Sequence, residues 1–255
     1  MLELPFSLER TVIIPARRET VFRYFTDSTR FAAWWGAGSQ IDVRIGGRVL
    51  IKHPGGVVAS GEVLEVDPGR RIVFTYGYED TKHTIPPGGS RVTVTLDDVS
   101  GWTRLHLRHD VADEKSRDLH IQGWRYNLAV FSTVACSEAN AGAAARVAAL
   151  LRAWGEPDAA ARKRLLEESV APDVTFRDQY SATFGLEDLH AHLAAVVIFM
   201  PGIRLQREGN VQHCQGTAVA RWIATADGSV RGRGANVYDF APDGRIARVI
   251  GLWEK

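Results

Sequence analysis

Trp34-Trp35-Gly36-Ala37-Gly38-Ser39-Gln40-Ile41-Asp42-Val43-Arg44-Ile45-Gly46-Gly47 is the stretch on which the fold of this chain turns. Two adjacent tryptophans are a poor choice for a water-facing surface, because each ring removes about 150–250 Å² from water when covered. Some of that area is therefore expected to be buried or to meet a partner. The glycine doublet that follows marks a turn and opens a long run of strand-like sequence.

Outward from this stretch, residues 7–14 read as a strand closed by Pro15, and Val21, Phe22 and Phe25 follow at helical spacing. From Ile41 to His109 the signal is strand throughout, punctuated at Gly46-Gly47, Pro54-Gly55-Gly56, Asp67-Pro68-Gly69, Pro87-Gly88-Gly89 and Ser100-Gly101. Ile72, Phe74 and Tyr76 share one face, as do Val92, Val94 and Leu96, and Leu105, Leu107 and His109. Such one-sided strands need a cover. Ile121, Trp124, Leu128, Phe131 and Ala135 supply it, stepping by three or four residues along one helical stripe. The order predicts an α+β fold in which a curved antiparallel sheet grips a long C-terminal helix.

A chain of 255 residues lies near the upper limit for one hydrophobic core, so two domains are expected at least as readily as one. The small-residue stretch 137–145 separates two halves with different element orders, which sets the domains at 1–140 and 141–255. In the second half, residues 146–154 and 158–170 read as a helical pair broken at Gly155-Glu156-Pro157. A short strand at 174–178, a helix at 186–197 and four strands near 203–213, 216–226, 229–240 and 245–253 complete it. Three helices against a bent antiparallel sheet make a cone with an interior.

Lys plus Arg number 31 against 30 Asp plus Glu, so no global charge draws nucleic acid or an anionic membrane. The two cysteines, Cys136 and Cys214, lie far apart without metal-ligand spacing; no metal and no cofactor is expected. Residues 1–10 carry Glu3 and Glu9 and no long apolar run, so a signal peptide is not expected and the cytoplasm is the default.

The first half resembles the activator-of-heat-shock-ATPase-like branch of the START-like (SRPBCC) superfamily. Ile14-Pro15-Ala16, Val21-Phe22, Thr26-Asp27, Trp34-Trp35, Gly46-Gly47, Gly61-Glu62-Val63, Val66-Asp67-Pro68, Arg71-Ile72, Thr103-Arg104-Leu105 and Gly123-Trp124 carry the resemblance across about residues 6–135. It implies a helix-grip fold around a ligand cavity. The second half resembles a SnoaL-like domain of nuclear-transport-factor-2-like type, a cone-shaped α+β barrel. Pro172-Asp173-Val174, Arg177-Asp178, Gly185 with Leu189, Trp222, Pro242-Asp243-Gly244-Arg245-Ile246 and Gly251 with Trp253 carry it, across about 144–254. Both families host enzymes and binders, so fold does not decide function.

In the first half, His109 sits at the end of an apolar strand face. Its imidazole can meet a ligand carbonyl or hydroxyl, or be satisfied at the strand end by backbone or water, and the second reading is favoured. Trp35, Tyr76 and Trp124 can wall the same cavity or simply pack the core. No nucleophile–base–acid set is visible there.

The second half offers more chemistry. Asp178 follows Val174 and Phe176 on one face of a short strand, so its carboxylate is expected beside apolar side chains, where desolvation favours a general base. The alternative is a turn-capping or Arg-paired carboxylate. The resemblance aligns Asp178 with the general base of ketosteroid isomerase, a relative of this fold type. It puts Asn236 where that enzyme has its oxyanion-hole acid, and an apolar residue near Leu150 where it has the tyrosine. Asn donates more weakly than a protonated carboxyl or phenol, which argues against steroid isomerisation by the same machinery, while another proton transfer, cyclisation or hydration stays open. His192, between Leu189 and Val196, is a second candidate, or a flanking helix histidine; His190 points to another face. Trp222, Tyr238 and Tyr180 are candidate ligand contacts. Trp222 shares its strand face with Ala218, Ala220 and Ala224, leaving room for a ligand or for a partner surface.

These readings predict a two-domain protein that binds small apolar or amphipathic metabolites in its cavities. The alternatives are a SnoaL-like isomerase, cyclase or hydratase using Asp178, and a chaperone-ATPase-associated interaction protein. Pairing of two copies through the second domain's sheet, at the Trp222 or Trp253 strands, is a further expectation.

Overall fold

The computed structural model describes residues 3–254. Its chain divides into two units, one ending at Glu138 and one beginning at Ala139.

The first unit is built on a seven-stranded sheet in the order β1-β7-β6-β5-β4-β3-β2. Its strands are β1 (Phe6–Ile14), β2 (Gln40–Ile41), β3 (Arg48–Lys52), β4 (Val58–Asp67), β5 (Arg71–Tyr76), β6 (Ser90–Val99) and β7 (Trp102–Val111). Every neighbouring pair is antiparallel. The apolar faces expected from alternation are inside: Ile72, Phe74, Val92, Leu105 and Leu107 are fully buried. Two short helices, α1 (Arg18–Arg23) and α2 (Ser28–Trp35), follow β1, and the long α3 (Glu114–Ala139) closes the unit. The Asp27 carboxylate caps α2 by accepting from Arg30 N, and Asp113 does the same for α3 through Ser116 N. Burial of Trp124, Leu128, Phe131 and Ala135 confirms the stripe on α3.

The tryptophan doublet therefore lies at the end of a helix. Phe31, Trp34 and Trp35 form one buried face of α2, with the Trp34 and Trp35 rings 4.2 Å apart. Phe131 of α3 meets Trp34 edge-on at 5.0 Å and Phe25 at 5.0 Å. The doublet fastens α2 to α3, and Trp35 looks onward into a cavity.

In the second unit, α4 (Ala143–Ala153) packs on α5 (Ala159–Ser169), which is capped by Asp158 accepting from Ala161 N. They precede β8 (Val170–Arg177), β9 (Ala182–Phe184), α6 (Leu186–Phe199), β10 (Arg204–Cys214), β11 (Thr217–Ala226), β12 (Ser229–Phe240) and β13 (Ile246–Trp253). The sheet order is β10-β11-β12-β13-β8-β9. One pair departs from the antiparallel expectation: β13 runs parallel to β8, an arrangement open to strands joined by a long connection. The core of this unit joins Val147, Leu150 and Leu151 of α4 to Leu189 and Leu193 of α6 and the inward alanines of β11.

Candidate functional site

A cavity of about 380 Å³ opens in the second unit. Its walls are mostly apolar, from Trp154 just past α4, Phe176 on β8, Val196 on α6 and Trp222 on β11. Its polar side chains include Asp178, His192, Asn236 and Arg231.

Asp178 lies just past the end of β8, so a turn rather than strand alternation presents it. Its N–H donates to Ser181 O at 2.9 Å. Oδ1 accepts from Tyr180 N at 2.8 Å, Ser181 N at 2.9 Å and Ser181 Oγ at 3.4 Å. Oδ2 accepts from the Trp253 indole at 3.1 Å. The carboxylate thus caps a turn and lines the cavity at once. Among the described residues, Asp178 forms no ion pair, with Arg177 or any other cation.

Ser181 also shares a hydrogen bond of 3.2 Å with His192 Nε2. The His192 ring stacks on Phe176 at 5.9 Å and meets Trp154 edge-on at 5.6 Å. His190 turns away and donates to Ala159 O at 3.2 Å.

Asn236 is buried, and its Oδ1 accepts from Trp222 Nε1 at 2.8 Å. An indole only donates, so this bond fixes the amide orientation and makes the NH₂ group the donor end, with the Tyr238 hydroxyl beside it. Between Asp178 and Asn236 lies Gly251. A Cβ there would stand 3.0 Å from Asp178 Cβ and 3.4 Å from Asn236 Oδ1. The glycine keeps open the space that both polar groups border.

Trp222 and Tyr180 line this cavity, Tyr180 as an exposed rim residue whose ring meets Trp253 at 5.2 Å. Tyr238 does not line it. Its side chain is fully buried in the core, and burial pushes the phenol far above its ordinary range, against a smaller opposing effect from Asn236. The partner-surface reading of the tryptophans is corrected too. Trp222 is 3% exposed and packs against Trp253 at 4.9 Å, both on the cavity side. The sheet's outward side carries ion pairs such as Arg221–Glu254 and Arg233–Glu208. A Cβ at Gly232 or Gly234 would lie 2.6 Å from the Trp253 or the Trp222 ring respectively, so these glycines seat the indoles.

The first unit holds a second cavity, of about 320 Å³. Trp35, Tyr76 and Trp124 line it, joined by His53, Tyr78 and His120. His109 does not line it. The imidazole is fully buried behind the wall, where Nδ1 accepts from Trp124 Nε1 at 3.0 Å and Nε2 lies 2.8 Å from Ser90 Oγ. Ser90 Oγ in turn donates to Tyr76 O at 2.7 Å. Both of its ring nitrogens are therefore partnered by side chains. Burial, with a smaller push from His120, holds the His109 pKa down to about 3. Burial likewise lowers His53 and His120 below the ordinary histidine value.

His120 could have been found from sequence, since it stands one helical turn before Trp124 on α3. His53, in the turn after β3, and Ser181, in the turn after β8, carry no periodic signal. Among the described residues no cluster of three or more His, Cys, Asp or Glu is placed to hold a metal ion, and no helix is long and apolar enough to cross a membrane.

Residues 15–135 match the family described as Activator of Hsp90 ATPase homolog 1-like protein, and residues 147–249 match the SnoaL-like domain. No curated protein matches the chain. Among solved structures, a SnoaL-like family protein from Agrobacterium tumefaciens is 23% identical, covering 44% of this chain and 96% of its own, with a TM-score of 0.42. An HSP90 activator from Plasmodium falciparum is 23% identical over 48% of this chain and 90% of its own, with a TM-score of 0.41. The Aha1 dimer from Colwellia psychrerythraea is 16% identical over 48% and 90%, with a TM-score of 0.42. The chain thus joins two families in tandem: an activator-of-Hsp90-ATPase-homologue-1-like domain, followed by a SnoaL-like domain.

Proposed function

We propose that the protein binds small apolar or amphipathic metabolites in the cavities of its two units. The observation that carries this reading is the second unit's cavity of about 380 Å³, apolar over most of its wall with a few convergent polar groups. That combination is the usual make-up of a small-molecule site. Thermal unfolding of the full chain against a library of lipids and polyketides tests it. A ligand at a hundred times its Kd stabilises the folded state by about 2.7 kcal/mol, well within reach of the assay. If no compound stabilises either unit, the reading falls.

A second reading, proton-transfer catalysis at the same site, is favoured by one specific feature. Oδ2 of Asp178 accepts a single hydrogen bond, from Trp253, and so keeps a lone pair for substrate. Across Gly251, the Asn236 amide can donate to an oxygen on which charge develops. An isomerase, cyclase or hydratase step would take a C–H or O–H proton onto Oδ2. The electron pair released would pass to a carbonyl held by Asn236, or into the new bond. His192 and Tyr180 would position the substrate, and Trp222 would wall it. Once a turned-over substrate is found by screening, Asp178→Asn is expected to abolish turnover while binding persists. Turnover that survives the substitution sinks the catalytic reading and leaves binding standing.

A further inference from the structure

The first unit's cavity is walled by aromatic rings. Trp35 and Tyr76 lie nearly parallel, 25° apart with centroids at 6.4 Å, and Trp124 meets Trp35 edge-on at 5.4 Å. Flat walls of this kind favour a flat ligand. No Asp, Glu, Lys or Arg lines the cavity, and the histidines on its wall have their charged forms disfavoured by burial. Nothing there compensates a ligand charge, so the occupant is neutral.

Among the polar groups on its wall, the Trp35 indole and His53 then set its chemistry. The Trp35 indole N–H is buried without a hydrogen-bond partner, in a residue only 2% exposed. It is the one such side-chain atom among the described residues of this unit. A buried donor left unmatched costs about 1–3 kcal/mol, so an acceptor on the ligand has free energy to gain.

His53 shares a hydrogen bond with Tyr76 Oη through Nε2 at 3.1 Å, and no described residue partners its Nδ1. Tyr78 is not available to the ligand in the same way. His120 Nδ1 donates to Ser116 O at 2.7 Å, so the neutral ring accepts at Nε2, and Tyr78 Oη donates there at 3.0 Å. That arm is fixed in direction.

Tyr76 Oη faces both His53 Nε2 and Tyr78 Oη, so its proton has two acceptors. When His53 Nε2 donates to Tyr76, Nδ1 is an acceptor; when Tyr76 donates, Nδ1 is a donor. A ligand hydroxyl matches both states, because it donates and accepts, whereas a carbonyl matches one. The Trp35 and His53 rings meet edge-on with centroids 5.5 Å apart, and both line the cavity. We propose that this cavity takes a neutral, planar hydroxyaromatic molecule whose hydroxyl oxygen accepts from Trp35 Nε1 and whose edge is read by His53 Nδ1. This rests on the reading that the first unit's cavity binds a small apolar molecule, and it names the class.

The test titrates the full chain with 2-naphthol, naphthalene and 2-naphthoate. Calorimetry gives the affinity, and the indole N–H resonances of Trp35 and Trp124, assigned with Trp35→Phe, report occupancy. 2-Naphthol is expected to bind at least tenfold more tightly than naphthalene and to shift the Trp35 indole proton, while 2-naphthoate leaves both resonances unmoved. His53→Phe is expected to erase the tenfold preference with naphthalene affinity retained, and Tyr76→Phe, which removes the hydroxyl paired with His53, to reduce it. Retained naphthalene binding also shows that the variants are folded. Equal affinities for naphthol and naphthalene, or equally tight naphthoate, overturn the proposed class while the cavity still binds. If none of the three moves either resonance, the binding reading of this cavity fails with it.

Discussion

Acidification should unfold the first unit through His109, by an amount that the geometry sets. Trp124 Nε1 can only donate, so His109 Nδ1 is the acceptor and the ring proton sits on Nε2, facing Ser90 Oγ. A second ring proton would point at the indole N–H with no acceptor in a fully buried site. Hence the folded pKa of about 3 against an ordinary 6.5. A folded-state pKa that is depressed leaves stability intact above 6.5 and removes it as pH falls towards 3, because the unfolded chain takes the proton first. Between pH 7 and pH 5 the unfolded state gains about 2 kcal/mol from this one ring. With a urea slope of about 2 kcal/mol per molar, the midpoint should fall by about 1 M. Burial lowers His53 and His120 in the same direction, and surface carboxylates titrate as well, so the control is His109→Gln. Its amide keeps an acceptor for Trp124 without a titrating group. Urea unfolding followed by hydrogen exchange in peptides from β7 isolates this unit in the full chain. Wild type should lose about 2 kcal/mol more than His109→Gln over that pH interval. If the two lose the same, or if the His109 ring titrates near 6.5 by NMR, the buried relay is wrongly drawn.

Gly251→Ala should leave the fold standing, since the new Cβ meets Asp178 Cβ at 3.0 Å and Asn236 Oδ1 at 3.4 Å, not a wall of backbone. It should cut affinity for any ligand seated between Asp178 and Asn236 at least tenfold by calorimetry; unchanged affinity would place the ligand elsewhere. Gly234→Ala is expected to be far more damaging, by about 1–3 kcal/mol in urea unfolding, because its Cβ would lie 2.2 Å from Leu252 O and 2.6 Å from the Trp222 ring. A fully stable variant would show that strand β12 can move away. Trp222→Phe takes the only indole donor from Asn236 Oδ1 and should cost about 1–3 kcal/mol, read from the same unfolding curves. A loss under about 0.5 kcal/mol would mean that a water or a flipped amide replaces it.

The strands were legible because each buries one face, so alternation betrayed them; β12 and the burial of Ala218, Ala220 and Trp222 follow the sequence directly. Helix α2 was missed although Phe31, Trp34 and Trp35 stand at helical spacing after an Asp cap, because eight residues give barely two turns of pattern. Strand β9, three residues long, has no period at all. At the sites the same division holds. Asp178, His192, Asn236 and Trp222 lie on or just beyond periodic elements and meet at one cavity. His53 and Ser181 sit in turns, where spacing says nothing about direction. His109 was assigned to the correct face but not to its partners. Ser90 lies diagonally across the β6–β7 ladder and Trp124 comes from α3, and tertiary closure alone joins the three.

Packing and polar chemistry in the second unit are one arrangement. Trp222 holds the Asn236 carbonyl end and Trp253 holds Asp178 Oδ2, so each indole is both a wall of the cavity and the orienting donor of a polar group. The two rings meet edge-on at 4.9 Å, and each occupies space that a side chain at Gly234 or Gly232 would claim. A glycine in a strand weakens it, by about 0.5–1 kcal/mol relative to alanine. Three of them, Gly232, Gly234 and Gly251, border the same few residues, and none has a left-handed backbone to require glycine. Their justification is therefore room. Two admit the indoles and the third keeps the Asp178 carboxylate and the Asn236 amide apart, so the strands give up stability to seat both polar groups at one cavity.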